Sequence, residues 1–372
     1  MRFFARRSLL RASALAVLLL VSASARPPVP RERHFLYVAS PGTRNYVEYG
    51  GVGVLVFDID DGYRFVRRIP TWTSPDGKPA ENVKGIAASA RTGRIYVTSL
   101  THVIAIDAVS GATIWDRAYD GGTDRLAISP DGRTLFVPQF EGPLWHVLDA
   151  SNGDVLGTIE TRSGSHNTIA STDGKLVYLA GLKSATLSIA DARARRLVGA
   201  VGPFGNVVRP FTVNGAGTLA FVNVNDLLGF EIGDLRTGKV LHRVEVAGYQ
   251  KGAVKRHGCP SHGIALTPDE RELWLADCAN SAIHIFDATS MPPKQVADLP
   301  MRDCVGWVSF SMDGKTAYSS TGEMIDVATR KVIATLTDEQ GRAVQSEKML
   351  DLVVADGRVV RAGNQFGVGG RR

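Results

Sequence analysis

Six copies of one hairpin run along this chain, and they restrict it to repeat architectures. "AISPDGRTLFVPQ" (127 to 139) returns as "IASTDGKLVYLAG" (169 to 181), "TVNGAGTLAFVNV" (212 to 224), "ALTPDERELWLAD" (265 to 277) and "SFSMDGKTAYSST" (309 to 321); "AASARTGRIYVTS" (87 to 99) is an earlier copy. Each joins a small-apolar strand to an aromatic or β-branched strand through Asp-Gly or a relative. Asp-Gly between such runs is a strong hairpin signal, and the expected turn places both residues at positive φ. A second hairpin follows each copy, as in "LWHVLDASNGDVLGTI" (144 to 159), with an Asp closing its first strand. The unit is therefore four antiparallel strands. Inner strands start near residues 85, 125, 167, 210, 263 and 306, a period of roughly 43 that matches one propeller blade.

The first blade lacks an inner strand before "HFLYVAS", and residues 349 to 355 carry a spare strand. Pairing the two chain ends supplies the missing strand and removes exposed sheet edges. The predicted fold is all-β: a seven-bladed β-propeller of four-stranded antiparallel blades, one domain over 34–372. "GRIYVTS" (93 to 99) and the repeated "SPDG" turns resemble the YVTN-type, YncE-like propellers of bacterial envelopes. The resemblance covers the chain after residue 25, implies secretion, and is weak on function because such propellers serve many roles. Ser99 departs from the signature asparagine, and the segment 246 to 261 is longer than its counterparts.

Residues 1–25 read as a secretory signal peptide: Arg2, Arg6, Arg7 and Arg11 precede a short apolar run and an Ala-Ser-Ala site. Arg6-Arg7 also fits a twin-arginine signal, the route of folded and often cofactor-loaded proteins; an ordinary signal with adjacent arginines is the alternative. Residues 26–33 form an extended leader. A periplasmic or extracellular monomer is expected, without a transmembrane anchor once the signal is cleaved. Cleavage lowers the 43 basic residues to 39 against 37 acids, a net charge of +2. No basic run remains, so nucleic acid is excluded as a partner. The expected partner is a small molecule or an envelope protein.

In a propeller, inner strands begin at one rim of the central channel, where ligands commonly bind. That rule selects Lys84, Asp124, Arg125, His166, Asn167, Arg209, His262, Trp307 and Lys348. Asp124, Arg125, Asn167, Trp307 and Lys348 are candidate ligand contacts. For Glu347 and Lys348, pairing with each other is preferred over facing the channel. His166, His262 and Arg209, with Glu323 from a neighbouring loop, are candidates for hydrolysis of a lactone type, which polarises an ester and activates water.

"RHGCPSHG" (256 to 263) brings His257, Cys259 and His262 together, and Cys278 and Cys304 map to the same rim. Three readings stay open: a Cys259–Cys278 disulfide suited to an oxidising compartment; a copper or zinc site from His166, His257, Cys259, His262 and Cys278; or hydrogen-bonded histidines beside buried apolar cysteines. Asp58, Asp107, Asp149, Asp191 and Asp287 recur at one blade position, which points to turn capping rather than catalysis. Trp115, Trp145 and Trp274 are expected to pack between blades. With no GxSxG, HExxH or phosphate loop present, a binding scaffold is the leading expectation, ahead of an enzyme or a metal or redox protein.

Overall fold

Each predicted hairpin forms, although its turn differs from the expected one. Gly132 takes φ 71° while Asp131 is absent from the positive-φ residues. The Gly132 N–H donates to the Ser129 carbonyl at 2.8 Å. Only one residue is left-handed, so this is a type I turn continued by a left-handed glycine. Asp131 earns its place through its side chain, which accepts from Ser129 Oγ at 2.5 Å and from the Arg133 N–H at 3.1 Å. The same contacts recur at Asp173 and Asp313.

The computed structural model describes residues 32–72, 80–256 and 260–370. The signal peptide at 1–25, most of the leader, and His257 with Cys259 lie outside the described residues. Among those described, 29 strands form seven antiparallel sheets, and one 3-10 turn (Val47–Tyr49) is the only helix. Six sheets are four-stranded blades. The other, blade one, has five strands. Its inner strand is Met349–Ala355, which pairs antiparallel with Arg33–Ser40, as predicted from the spare carboxyl-terminal strand.

Apolar alternation packs the blades. Among the described residues there are seven buried apolar clusters, one at each contact between consecutive blades. One of them joins Leu36 and Leu55 of blade one to Tyr318 and Met324 of blade seven, so the ring is closed. Trp145 and Trp274 are fully buried in two of these interfaces, and Trp115 packs against a third. The recurring aspartates cap turns: Asp107, Asp149, Asp191 and Asp287 accept N–H groups two or three residues on. The backbone N–H of Ser110 holds Asp107 below its usual value, and hydrogen bonds from the side chains and then the N–H groups of Ser151 and Thr289 do the same for Asp149 and Asp287.

The carboxyl terminus beyond residue 355 does more than close the ring. Arg358–Ala362 adds a fifth strand inside blade one. Beyond it the chain crosses the channel. Gln365 Oε1 accepts from the Ile86 N–H of blade two at 3.3 Å, and the Gln365 carbonyl accepts from Trp307 Nε1 of blade seven at 2.6 Å. The Gly367 carbonyl accepts from Thr212 Oγ1 of blade five and the Leu266 N–H of blade six. The tail ties five blades together across the centre of the ring, since Gln365 also donates to the Leu126 carbonyl of blade three, and the upper rim forms a cup.

Candidate functional site

The inner-strand starts converge as the repeat demands. A cavity of about 320 Å³ is lined by Lys84, Arg125, His166, Arg209, His262, Glu347 and Lys348, with Arg44, Glu141 and Arg256 on its loops. Six of these ten side chains are Lys or Arg and two are Glu. Asp124 lies just behind them, fully buried.

Asp124 organises one side. Its Oδ2 accepts from His166 Nδ1 at 2.6 Å, its Oδ1 accepts from the Arg125 N–H at 2.9 Å, and Lys84 Nζ stands 3.4 Å from Oδ1. Burial alone pushes this carboxyl up, but His166, Lys84 and Arg125 outweigh it and hold it below its usual value. His166 is pushed down by burial and by the same two cations. These effects favour the neutral imidazole, and the hydrogen bond to Asp124 then places its proton on Nδ1 and its lone pair on Nε2.

Glu347 organises the other side. It pairs with the Arg125 guanidinium and with Lys348 Nζ at 3.1 Å. Glu347 and Lys348 pair with each other, as expected, and both also line the cavity. Lys348 Nζ also donates to the Gly42 carbonyl at 2.7 Å. This lysine is 3% exposed. Burial, then the charges of Arg125 and Lys84, bring its pKa down to about 7 despite Glu347.

Trp307, expected as a ligand contact, does not line the cavity. The Arg125 guanidinium lies 3.7 Å from its ring centroid, and its N–H is held by the carboxyl-terminal tail. Trp307 thus acts on the cavity only through Arg125. Arg125 Nη1 and Arg209 Nε are buried without a hydrogen-bond partner, as are both amide atoms of Asn167. Buried polar atoms of this kind are costly unless water or a ligand satisfies them.

Two loops complete the wall. Residues 246 to 256 form a strap on blade six: Tyr249 packs on His284 at 4.6 Å, and the Gln250 carbonyl accepts from Asn280 at 2.9 Å. The strap carries Arg256 to Asp303 (2.8 Å) and to the faces of Tyr46 and Tyr49. Arg44 donates to the Arg256 carbonyl. Neither Arg44 nor Arg256 was selected from the sequence, because both sit on loops outside the repeat. The nearest signal was the length of the 246 to 261 segment.

Several expectations are corrected. Cys278 pairs with Cys304, 26 residues on, rather than with Cys259. The second strand of blade six ends beside the approach to the inner strand of blade seven, and a strand end is a fixed anchor. A disulfide sulfur is no thiolate, so Cys278 also leaves the proposed copper or zinc ligand set. Among the described residues no group of three or more His, Cys, Asp or Glu is placed to hold a metal ion. His262 donates its Nδ1–H to the Gly306 carbonyl at 2.8 Å and meets Trp307 edge to face. Glu323 does not line the cavity; it is buried beside Arg302 at 3.3 Å.

No family model matches this chain, and no curated protein is similar to it. Among solved structures, hydrazine synthase of Kuenenia stuttgartiensis is similar over 70% of this chain and 98% of that chain, at 14% identity and a TM-score of 0.46. A likeness at that level bears on no functional question. The likeness to YVTN-type propellers rests on the repeat residues alone.

Proposed function

We propose that this propeller is an exported binding protein whose upper-face cup takes a small organic anion. The excess of cations at the cup carries the reading. Lys84, Arg125, Arg209, Arg256, Arg44 and Lys348 stand with Glu141, Glu347, Asp124 and Asp303, and of the six Arg125 and Lys348 are buried. Burying two cations that share one carboxylate, Glu347, is unfavourable without a further counter-ion. The unpartnered Arg125 Nη1 and Arg209 Nε are forked donors of the type that matches a carboxylate or phosphate. The amino-terminal sequence supports export, and the closed cup supports a small molecule over an extended polymer.

The test is calorimetric titration of the protein with acetate, lactate, citrate and inorganic phosphate. Arg209→Met should weaken the preferred anion by about tenfold or more, the scale of one lost charge-assisted hydrogen bond. A protein that binds none of these anions refutes the proposal.

One observation favours hydrolysis as a second reading. Asp124 holds Nδ1 of His166, a side chain that lines the cup, and so leaves Nε2 as its basic nitrogen, the tautomer a general base needs. Turnover of sugar lactones that disappears in His166→Gln, with melting unchanged, would support it; inert wild-type protein would end it.

A further inference from the structure

Within the cup, one group is unlike the rest. Lys348 Nζ is held by two acceptors, the Gly42 carbonyl and Glu347. An ammonium has three N–H bonds and an amine has two plus a lone pair. Two protein acceptors therefore satisfy both N–H bonds of the neutral amine and leave its lone pair without a protein partner, on a side chain that lines the cavity. Arg125 and Arg209 line the same cavity, each with a buried donor that no protein atom accepts. A nucleophile and a carboxylate clamp thus share one small enclosure.

From this juxtaposition we infer that Lys348 forms a reversible imine with 2-oxo acids, whose carboxylate is held by Arg125 and Arg209. The inference rests on the anion-binding reading and names the class of anion. Nζ adds to the ketone carbon, forming a C–N bond as the C=O π bond breaks. The carbonyl oxygen leaves as water with the two N–H protons, and a C=N bond remains. Nothing is oxidised or reduced. A protonated imine keeps one N–H, for which Glu347 is the acceptor already in place. The charged groups around Nζ are Glu347, Arg125 and Lys84, and the two cations work with burial to free the lone pair near neutral pH. At pH 7 the neutral fraction of such an amine exceeds that of an ordinary lysine by about a thousandfold.

The experiment incubates the whole protein with pyruvate at pH 7, adds borohydride, and maps the adduct by peptide mass spectrometry. Reduction fixes the imine as a mass gain of one pyruvic acid less one oxygen atom. The expected result is an adduct on Lys348 exceeding that on any other lysine by more than about tenfold, as its larger neutral fraction requires. Lactate, which has the carboxylate without the ketone, should suppress it. Calorimetry with both anions separates the failures. If both bind and the adduct is absent or spread over surface lysines, the imine is refuted and anion binding survives. If neither binds, both fall. Lys348→Arg should abolish the adduct while lactate still binds.

Discussion

Replacing Asp351 with asparagine should flatten the dependence of stability on pH between about 4 and 6. Asp351 lies in the closing strand Met349–Ala355 and is 5% exposed. Its Oδ2 accepts one hydrogen bond, from the Met312 N–H at 2.9 Å, and its Oδ1 has no partner. Burial pushes its pKa up to about 6, against an unfolded value of about 3.9. The folded state therefore holds the proton more tightly than the unfolded chain. The resulting stabilisation is complete below pH 4 and is lost as pH rises through 6. A shift of about two units corresponds to roughly 3 kcal/mol. The amide keeps an acceptor for Met312 and cannot ionise, so the variant lacks this loss whatever constant cost its NH₂ group adds. Urea unfolding at half-unit pH steps from 4 to 8 measures the difference between the two profiles. The wild type should lose about 3 kcal/mol more than the variant across that range. Parallel profiles would show that Asp351 titrates normally and would refute the argument from burial.

Three further outcomes follow from the same coordinates. Replacing Cys278 and Cys304 together with serine opens a loop of 26 residues and should lower stability by about 3 kcal/mol on the loop-entropy account, read as a shift in the urea midpoint. Gly367 sits at φ +56°, where a Cβ would fall 2.2 Å from that of Ala265; Gly367→Ala should cost roughly 1–3 kcal/mol and raise proteolysis of the tail. Anion affinity should fall above pH 7 by up to about tenfold per unit, because an anion favours the charged form of Lys348 that the empty cup disfavours. Calorimetry in buffers of different ionisation enthalpy should then show proton uptake, and an affinity constant from pH 6 to 9 would contradict this.

Much of the fold was legible because repeats are redundant. Asp131, Asp173 and Asp313 each report the same turn, and each blade restates the four-strand pattern, so one misread copy does no harm. The rim positions were legible for the same reason: Lys84, Arg125, His166, Arg209, His262 and Lys348 occupy equivalent places, and equivalent places meet at the axis. What broke the repeat was not legible. Arg44 and Arg256 come from loops with no counterpart in other blades. Gln365 belongs to a tail whose hydrogen bonds go to residues 58 and 239 or more positions away. The cysteine pairing failed because sequence places three sulfurs near one rim, and only strand ends fix which two approach.

The chain alone determined seven sheets, their closure and the residues that meet at the opening, since period and alternation are local properties repeated many times. Tertiary structure decided the balance of charge within the cup, the lowered basicity of His166 and the Lys348 pKa of about 7. Those depend on burial and on which cation faces which carboxylate, and both are set by contacts across the ring that no local pattern encodes.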